Sequence, residues 1–247
     1  MKLVEVPQFT RSGNYFVDVG LGYVEDNLRQ YVMEWGLDMN PVFQRAHVWD
    51  DTKRSKYIEY LLRGGTSSRV IYFNCPQWRT AGDPQMVLVD GKQRLDAVVK
   101  FLHDDVTVFG GMRLSDFTAQ LDEHGKPMPP ITRVTQGLKF NVNDLPTWAE
   151  VLQWYLDLND GGVVHTPTEL TRVRELLAET VQRDPPGYTG PKTTLQERLS
   201  PDGLDPKLLA RFQELDKRDT ERRGLLSEEQ AKWDLVSKPK GARRKRK

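Results

Sequence analysis

Two short stretches of this 247-residue chain combine residue types suited to handling phosphate. The first is Asp90-Gly91-Lys92-Gln93-Arg94. It follows the apolar run Met86-Val87-Leu88-Val89 and precedes Leu95, Val98, Val99 and Leu102, which recur at helical spacing. That order reads as a strand, a tight turn and a helix. A helix N-terminus presents unpaired backbone N–H groups and a partial positive charge, and a glycine there lets the backbone approach a ligand closely, so an anion such as phosphate is the natural occupant. Lys92 or Arg94 would neutralise it further. Asp90, at the strand's end, is suited to holding a metal ion, to acting as a general base or to capping the helix, and spacing alone leaves all three open.

The second stretch is Asn40-Pro41-Val42-Phe43-Gln44-Arg45-Ala46-His47-Val48-Trp49, which sets Gln44, Arg45 and His47 among apolar neighbours. A guanidinium in that setting matches paired phosphate oxygens, although an ion pair of Arg45 with Asp50 or Asp51 would account for it equally well. A third element, Leu158-Asn159-Asp160-Gly161-Gly162, offers the amide of Asn159 and a flexible Gly pair whose N–H groups can converge on an anion. Taken alone it is an ordinary turn between helices.

Taken together, in this order, the three elements resemble the N-terminal domain family of GmrSD-type modification-dependent restriction enzymes. That family's pattern runs from an FQR…W element through DGQQR and a helix to an LNxGG-like element. The resemblance spans roughly residues 14 to 180, and Lys92 stands where the family more often has Gln. It implies an α/β (α+β) fold with a ParB/sulfiredoxin-like mixed-sheet core that binds a nucleoside triphosphate, usually with Mg²⁺, and uses its phosphates. Position by position, it implies phosphate contacts from Gln44, Arg45, Gly91 and Lys92, with Asp90 holding the metal or orienting water. Gln93 and Arg94 would complete the phosphate clamp beside Asp90, and Asn159 and Gly161 would close the pocket.

The elements that must position these residues are legible from periodicity and punctuation. Tyr15 to Val19 reads as a strand, Val24 to Trp35 as a helix, and Asp50-Asp51 opens a helix whose apolar face is Tyr57, Ile58, Leu61 and Leu62. Val70 to Phe73 and Met86 to Val89 are continuous apolar runs, as expected of strands buried on both faces. Val106 to Phe109 and Leu138 to Val142 read as further strands. Helices are expected over Thr147 to Leu158 and Pro167 to Val181. After Asp184 the chain turns Pro- and Gly-rich, a linker composition, with short charged helices expected at Pro206 to Arg218 and Ser227 to Trp233. The resulting organisation is a domain over 1–182, a linker with short helices over 183–237 and a basic tail over 238–247.

That tail carries Lys238, Lys240, Arg243, Arg244, Lys245, Arg246 and Lys247; removing its seven charges from the formal +1 leaves −6 for the rest. Such an asymmetry suggests an electrostatic arm, with Arg243 to Lys247 contacting DNA phosphates, or else a solubilising end. A hydrophobic fraction of 38% and a mean hydropathy of −0.62 fit a core followed by solvated chain. Cys75 is the single cysteine, which excludes an intrachain disulfide or a Cys-rich zinc site. No segment has the length and apolarity of a membrane span, so a soluble, cytoplasmic protein without a membrane partner is expected.

Relatives that cut DNA commonly append an HNH nuclease, whose ligands include histidine; His47, His103, His124 and His165 are the only histidines, so none is expected after residue 180. The leading expectation is an NTP-dependent NTPase or nuclease component acting on DNA, plain or base-modified, either as a homo-oligomer or with a separate nuclease partner. Its rivals are a kinase that phosphorylates a hydroxyl of a modified base and a nucleotide-gated DNA-binding module. A base-acting enzyme would favour aromatic platforms, for which Trp49, Trp78 and Trp148 are candidates, with burial in the core as the alternative.

Overall fold

A computed structural model describes residues 15–44, 48–76, 85–118, 124, 131–134, 137–159, 167–183 and 205–237, with the backbone alone from 222 onward. Four strands, β1 (Tyr15–Val19), β2 (Val70–Asn74), β3 (Val87–Asp90) and β4 (Leu138–Asn143), form one mixed sheet in the order β1-β4-β2-β3. β1 and β4 are antiparallel, β4 and β2 parallel, and β2 and β3 antiparallel with an irregularity between Tyr72 and Phe73. This is the expected α+β class.

The helices are α1 (Val24–Glu34), α2 (Asp51–Leu62), α3 (Lys92–Leu102), the short α4 (Leu114–Thr118) and α5 (Ile131–Val134), α6 (Trp148–Asn159), α7 (Pro167–Arg183) and α8 (Pro206–Ser237). Strand alternation divides the core. Ile71, Phe73, Leu88 and Phe140 face α1, α2 and α3, whereas Val87 and Val89 face α6 and α7, where Trp148, Leu152, Tyr155 and Val173 are buried. β3 is therefore covered on both sides, as its unbroken apolar run requires. Asp50 starts α2 by accepting the Lys53 N–H at 2.8 Å.

Two expectations are corrected. Val106 to Phe109 does not form a strand: it makes one bridge, Val108 with Met112, because Phe109, Gly110 and Gly111 all take positive φ and turn the chain back. Pro206 to Ser237 is one helix of 32 residues rather than two short ones. Leu208, Phe212 and Leu215 of that helix are buried, with Leu208 and Phe212 in the same cluster as the sheet. Ion pairs frame the contact with α1: Arg29 bridges Asp216 and, at 2.6 Å, Asp219, while Arg211 reaches Glu25 at 3.1 Å. The first turns of α8 are thus part of the fold's main core.

Candidate functional site

The turn between β3 and α3 is built around a glycine that no other residue replaces without strain. Gly91 has φ +100°, and a Cβ at this position would lie 2.7 Å from Ile71 Cδ1 and 3.2 Å from Ile71 Cα. The close approach lets α3 start directly beneath β2. The N-cap position is Gly91 itself, which makes no side-chain cap bond. The capping option for Asp90 is therefore not the one adopted; its carboxylate pairs with the Arg94 guanidinium one turn further on. Both side chains remain partly open, 27% and 17% exposed respectively.

Lys92, the first residue of α3, is half-buried. Burial depresses its ammonium below the usual lysine range, opposed by the carboxylates of Asp38 and Asp96. Asp96 in turn takes Arg54 of α2 at 2.9 Å, and Asp51 takes the same guanidinium at 3.0 Å. Asp50 and Asp51 thus serve the start of α2.

The FQR element is carried to this turn by backbone pairing and by its own side chains. Along the outer edge of β3, Asp38 N–H donates to Met86 O at 2.8 Å and Leu88 N–H to Asp38 O at 3.0 Å. Further on, Gln44 Nε2 donates to Val89 O at 2.6 Å, the residue just before Asp90. Gln93 acts from the other side: its Oε1 accepts the N–H groups of Val48 at 3.0 Å and Trp49 at 3.2 Å. Two glutamines therefore fasten the chain on either side of residues 45–47. Phe43 is buried against Trp148 and Tyr155, with ring centroids 5.4 and 5.0 Å away. Arg172 of α7 donates to Val42 O at 3.3 Å.

The third element approaches through the same helix. Asn159 ends α6 one turn beyond Tyr155; it is buried, and its Nδ2 donates to Tyr155 O at 2.7 Å. Phe43 links this helix to the β3–α3 turn, so Gln44, Asp90, Gly91, Lys92, Gln93 and Arg94 form one neighbourhood and α6 flanks it. Arg45, Gly161, the tail residues Arg243, Arg244, Lys245, Arg246 and Lys247, and also His47 and Trp78, lie outside the described residues. Trp148 is core rather than platform. Trp49 is partly buried, packs edge-on against Tyr57 at 5.5 Å and carries Lys53 5.2 Å from its ring centroid.

Asp38 was not singled out by motif. Its role depends on pairing with a strand some fifty residues away, and no local spacing announces that. Among the described residues no group of three or more His, Cys, Asp or Glu side chains converges into a metal cage. A Mg²⁺ ion that arrives on phosphate oxygens needs as few as one protein carboxylate, and Asp90 is the residue at this turn that could supply it.

Residues 24–127 match the family model described as GmrSD restriction endonuclease, N-terminal domain. This stretch of the chain is a GmrSD-type N-terminal domain. It contains the Phe43-Gln44-Arg45 and Asp90–Arg94 elements, while the element from Leu158 to Gly162 falls beyond the matched residues. No curated protein and no solved structure matches the chain. The GmrSD-type segment holds α1 to α3, β2 and β3, and hence every described residue of the β3–α3 turn. Among the described residues no helix is long and apolar enough to cross a membrane.

Proposed function

We propose that the chain is an NTP-binding, phosphate-handling enzyme acting on DNA, an NTPase or nuclease component of a modification-dependent restriction system working in the cytoplasm. One observation carries the reading. The two motif stretches that could bind phosphate, 45 residues apart in sequence, are fastened to the same turn by Gln44 and Gln93. At that turn Gly91 clears the backbone and makes no side-chain cap of its own, and Lys92 and Arg94 stand at the first turn of α3. The ParB/sulfiredoxin-like superfamily assignment belongs to the same proposal.

In this scheme the triphosphate chain lies across the N-terminus of α3, where the helix dipole and backbone N–H groups favour negative charge. Arg94 and Lys92 neutralise it, and Arg45 adds a bidentate partner from the loop that the glutamines hold. Asp90 orients the attacking group. Mg²⁺ carried by the nucleotide would be held by Asp90 and would offset charge developing on the transferred phosphoryl group. Asn159 and Gly161 would close the α6 side. The tail, Arg243 to Lys247, would hold DNA by phosphate contacts, with a homo-oligomer or a separate nuclease chain completing the system.

The test is incubation with γ-³²P-labelled nucleotides, Mg²⁺ and plain or hydroxymethylated DNA, beside an Asp90→Ala control. Free labelled phosphate that disappears in the control supports the hydrolase. Label on DNA establishes a kinase instead, and no Asp90-dependent label in either channel leaves a binding module. Deleting residues 238–247 is expected to weaken DNA binding and flatten its salt dependence; unchanged affinity at low salt refutes the role of the tail.

A further inference from the structure

The outer face of α2 carries a row of side chains that the phosphate site does not use. Lys53, Lys56, Tyr60 and Arg63 follow at spacings of three, four and three, so they share one side of the helix, and all four are exposed. At about 1.5 Å per residue the row runs roughly 15 Å. It starts over Trp49, whose backbone N–H is held by Gln93, and ends beside Phe109. We propose that this face, together with Phe109, binds a single-stranded stretch of nucleic acid, a contact separate from the basic tail and independent of the nucleotide reading above.

Charge is the first ground. Outside its tail the chain is acidic, and cations elsewhere on the fold, Arg29, Arg54, Arg94 and Arg211 among them, are tied to carboxylates. Lys53 and Arg63 rest instead on rings, 5.2 Å from the centroid of Trp49 and 5.6 Å from that of Phe109. Among the described residues no carboxylate pairs with Lys53, Lys56 or Arg63. A ring steadies a cation without cancelling its charge, as a carboxylate would. The acids of α2 and its cap are engaged elsewhere: Asp50 accepts the Lys53 N–H, Asp51 takes Arg54, and Glu59 Oε1 accepts the Phe109 N–H at 2.7 Å. A row of open positive charge is complementary to a phosphate backbone.

The aromatic side chains are the second ground, and they favour an unpaired strand. Phe109 has φ +48°, a conformation that a bulky residue rarely adopts and that persists only where its surroundings impose it. Here α2 imposes it, through the Glu59 bond and through Ser55 Oγ, which donates to Thr107 O at 2.5 Å. The turn thereby holds Phe109 out beside Arg63, 38% exposed. Tyr60, 37% exposed, is fixed by Ser67, whose N–H donates to the Tyr60 hydroxyl at 2.8 Å. Cations that track a backbone, with rings among them on which bases can stack, suit single strands; in a duplex the base faces are already covered.

The experiment is fluorescence anisotropy of the full chain with a short labelled oligonucleotide, single-stranded or duplex, over a range of salt. Wild type is expected to bind the single strand more tightly. Replacing Lys53, Lys56 and Arg63 together by Gln should make the slope of log K against log salt shallower by about 2, as three phosphate contacts of about 0.7 each require. Phe109→Leu keeps an apolar side chain but removes the ring. It should weaken single-strand binding about fivefold or more, with the salt slope and duplex binding unmoved, whereas Phe109→Trp should bind as wild type does. An unchanged slope in the triple variant would assign all DNA contact to the tail and overturn the proposal. Undiminished single-strand binding by Phe109→Leu, or an equal loss for duplex, overturns it too. Absence of nucleic-acid binding by wild type also overturns it, while Asp90-dependent release of labelled phosphate would still stand on its own.

Discussion

Replacing Gly91 by alanine tests whether the turn is built as described. An alanine at φ +100° lies outside the ordinary range of L-residues and costs about 1–2 kcal/mol. Its Cβ would also overlap Ile71, 2.7 Å from Cδ1 and 3.2 Å from Cα. Cδ1 can move by rotation within a packed core whereas Cα cannot, and such overpacking costs about 1–3 kcal/mol. Restricting the unfolded chain returns roughly 0.4–1 kcal/mol. The net loss is about 1–4.6 kcal/mol, which at roughly 2–4 °C per kcal/mol for a chain of this size lowers Tm by about 2–18 °C. Thermal melts followed by circular dichroism read this directly. A second substitution separates strain from overlap. Ile71→Val deletes Cδ1; alone it costs about 0.5–1.5 kcal/mol, but on top of Gly91→Ala it should cost less or stabilise. A Gly91→Ala melt within about 2 °C of wild type, or strictly additive losses in the double variant, refutes the close approach of Gly91 to Ile71.

Three further outcomes are expected. Phe212→Ala should destabilise by about 3–5 kcal/mol in urea titrations, since Phe212 is buried in the main cluster; a change within about 0.5 kcal/mol would place α8 outside the core. Burial pushes the Cys75 thiol and the Tyr57 phenol up to about 12, and Tyr31 is raised in the same way. The unfolded chain therefore releases these protons first, so stability holds below pH ~9 and falls toward 12 by up to about 1.4 kcal/mol per pH unit per group. Urea midpoints from pH 8 to 11 measure the slope, which should be shallower in Cys75→Ala, and a flat wild-type profile would contradict it. Lys92→Met should raise Tm, because the buried ammonium is relieved of desolvation, while weakening binding of triphosphate; a lower Tm would show that its carboxylate neighbours outweigh burial.

Elements whose signal is local were legible in the sequence. The face of α3, the acidic start of α2 and the unbroken apolar run of β3 each follow from spacing within one segment. The Asp90–Arg94 pair obeys an i, i+4 spacing but is not read from it, since the sequence offers Asp90 as metal ligand, base or cap and Arg94 as a phosphate contact. What escaped depends on partners far along the chain. Gln44 and Gln93 read as ligand-contacting residues, yet their described hydrogen bonds fasten backbone 45 residues away, at Val89 and Val48. Asp38 gave no signal at all, since its pairing with the edge of β3 exists only once the sheet is assembled. The short helices expected at Pro206 to Arg218 and Ser227 to Trp233 left residues 219–226, with Gly224 among them, outside any helix, yet one helix runs through. One glycine costs a helix only about 1 kcal/mol, which is less than the anchoring of Leu208, Phe212 and Leu215 supplies.

That anchoring also changes what a cut in the chain would do. A single proteolytic nick between residues 184 and 204 would sever the covalent link to α8 and the tail. Leu208 and Phe212 would still sit in the core, with Arg29 clasping Asp216 and Asp219. The two fragments should then co-elute as one particle until denaturant separates them. The start of α8 therefore belongs to this domain by packing as much as by peptide bond, and the two pieces expressed apart are natural candidates for reassembly.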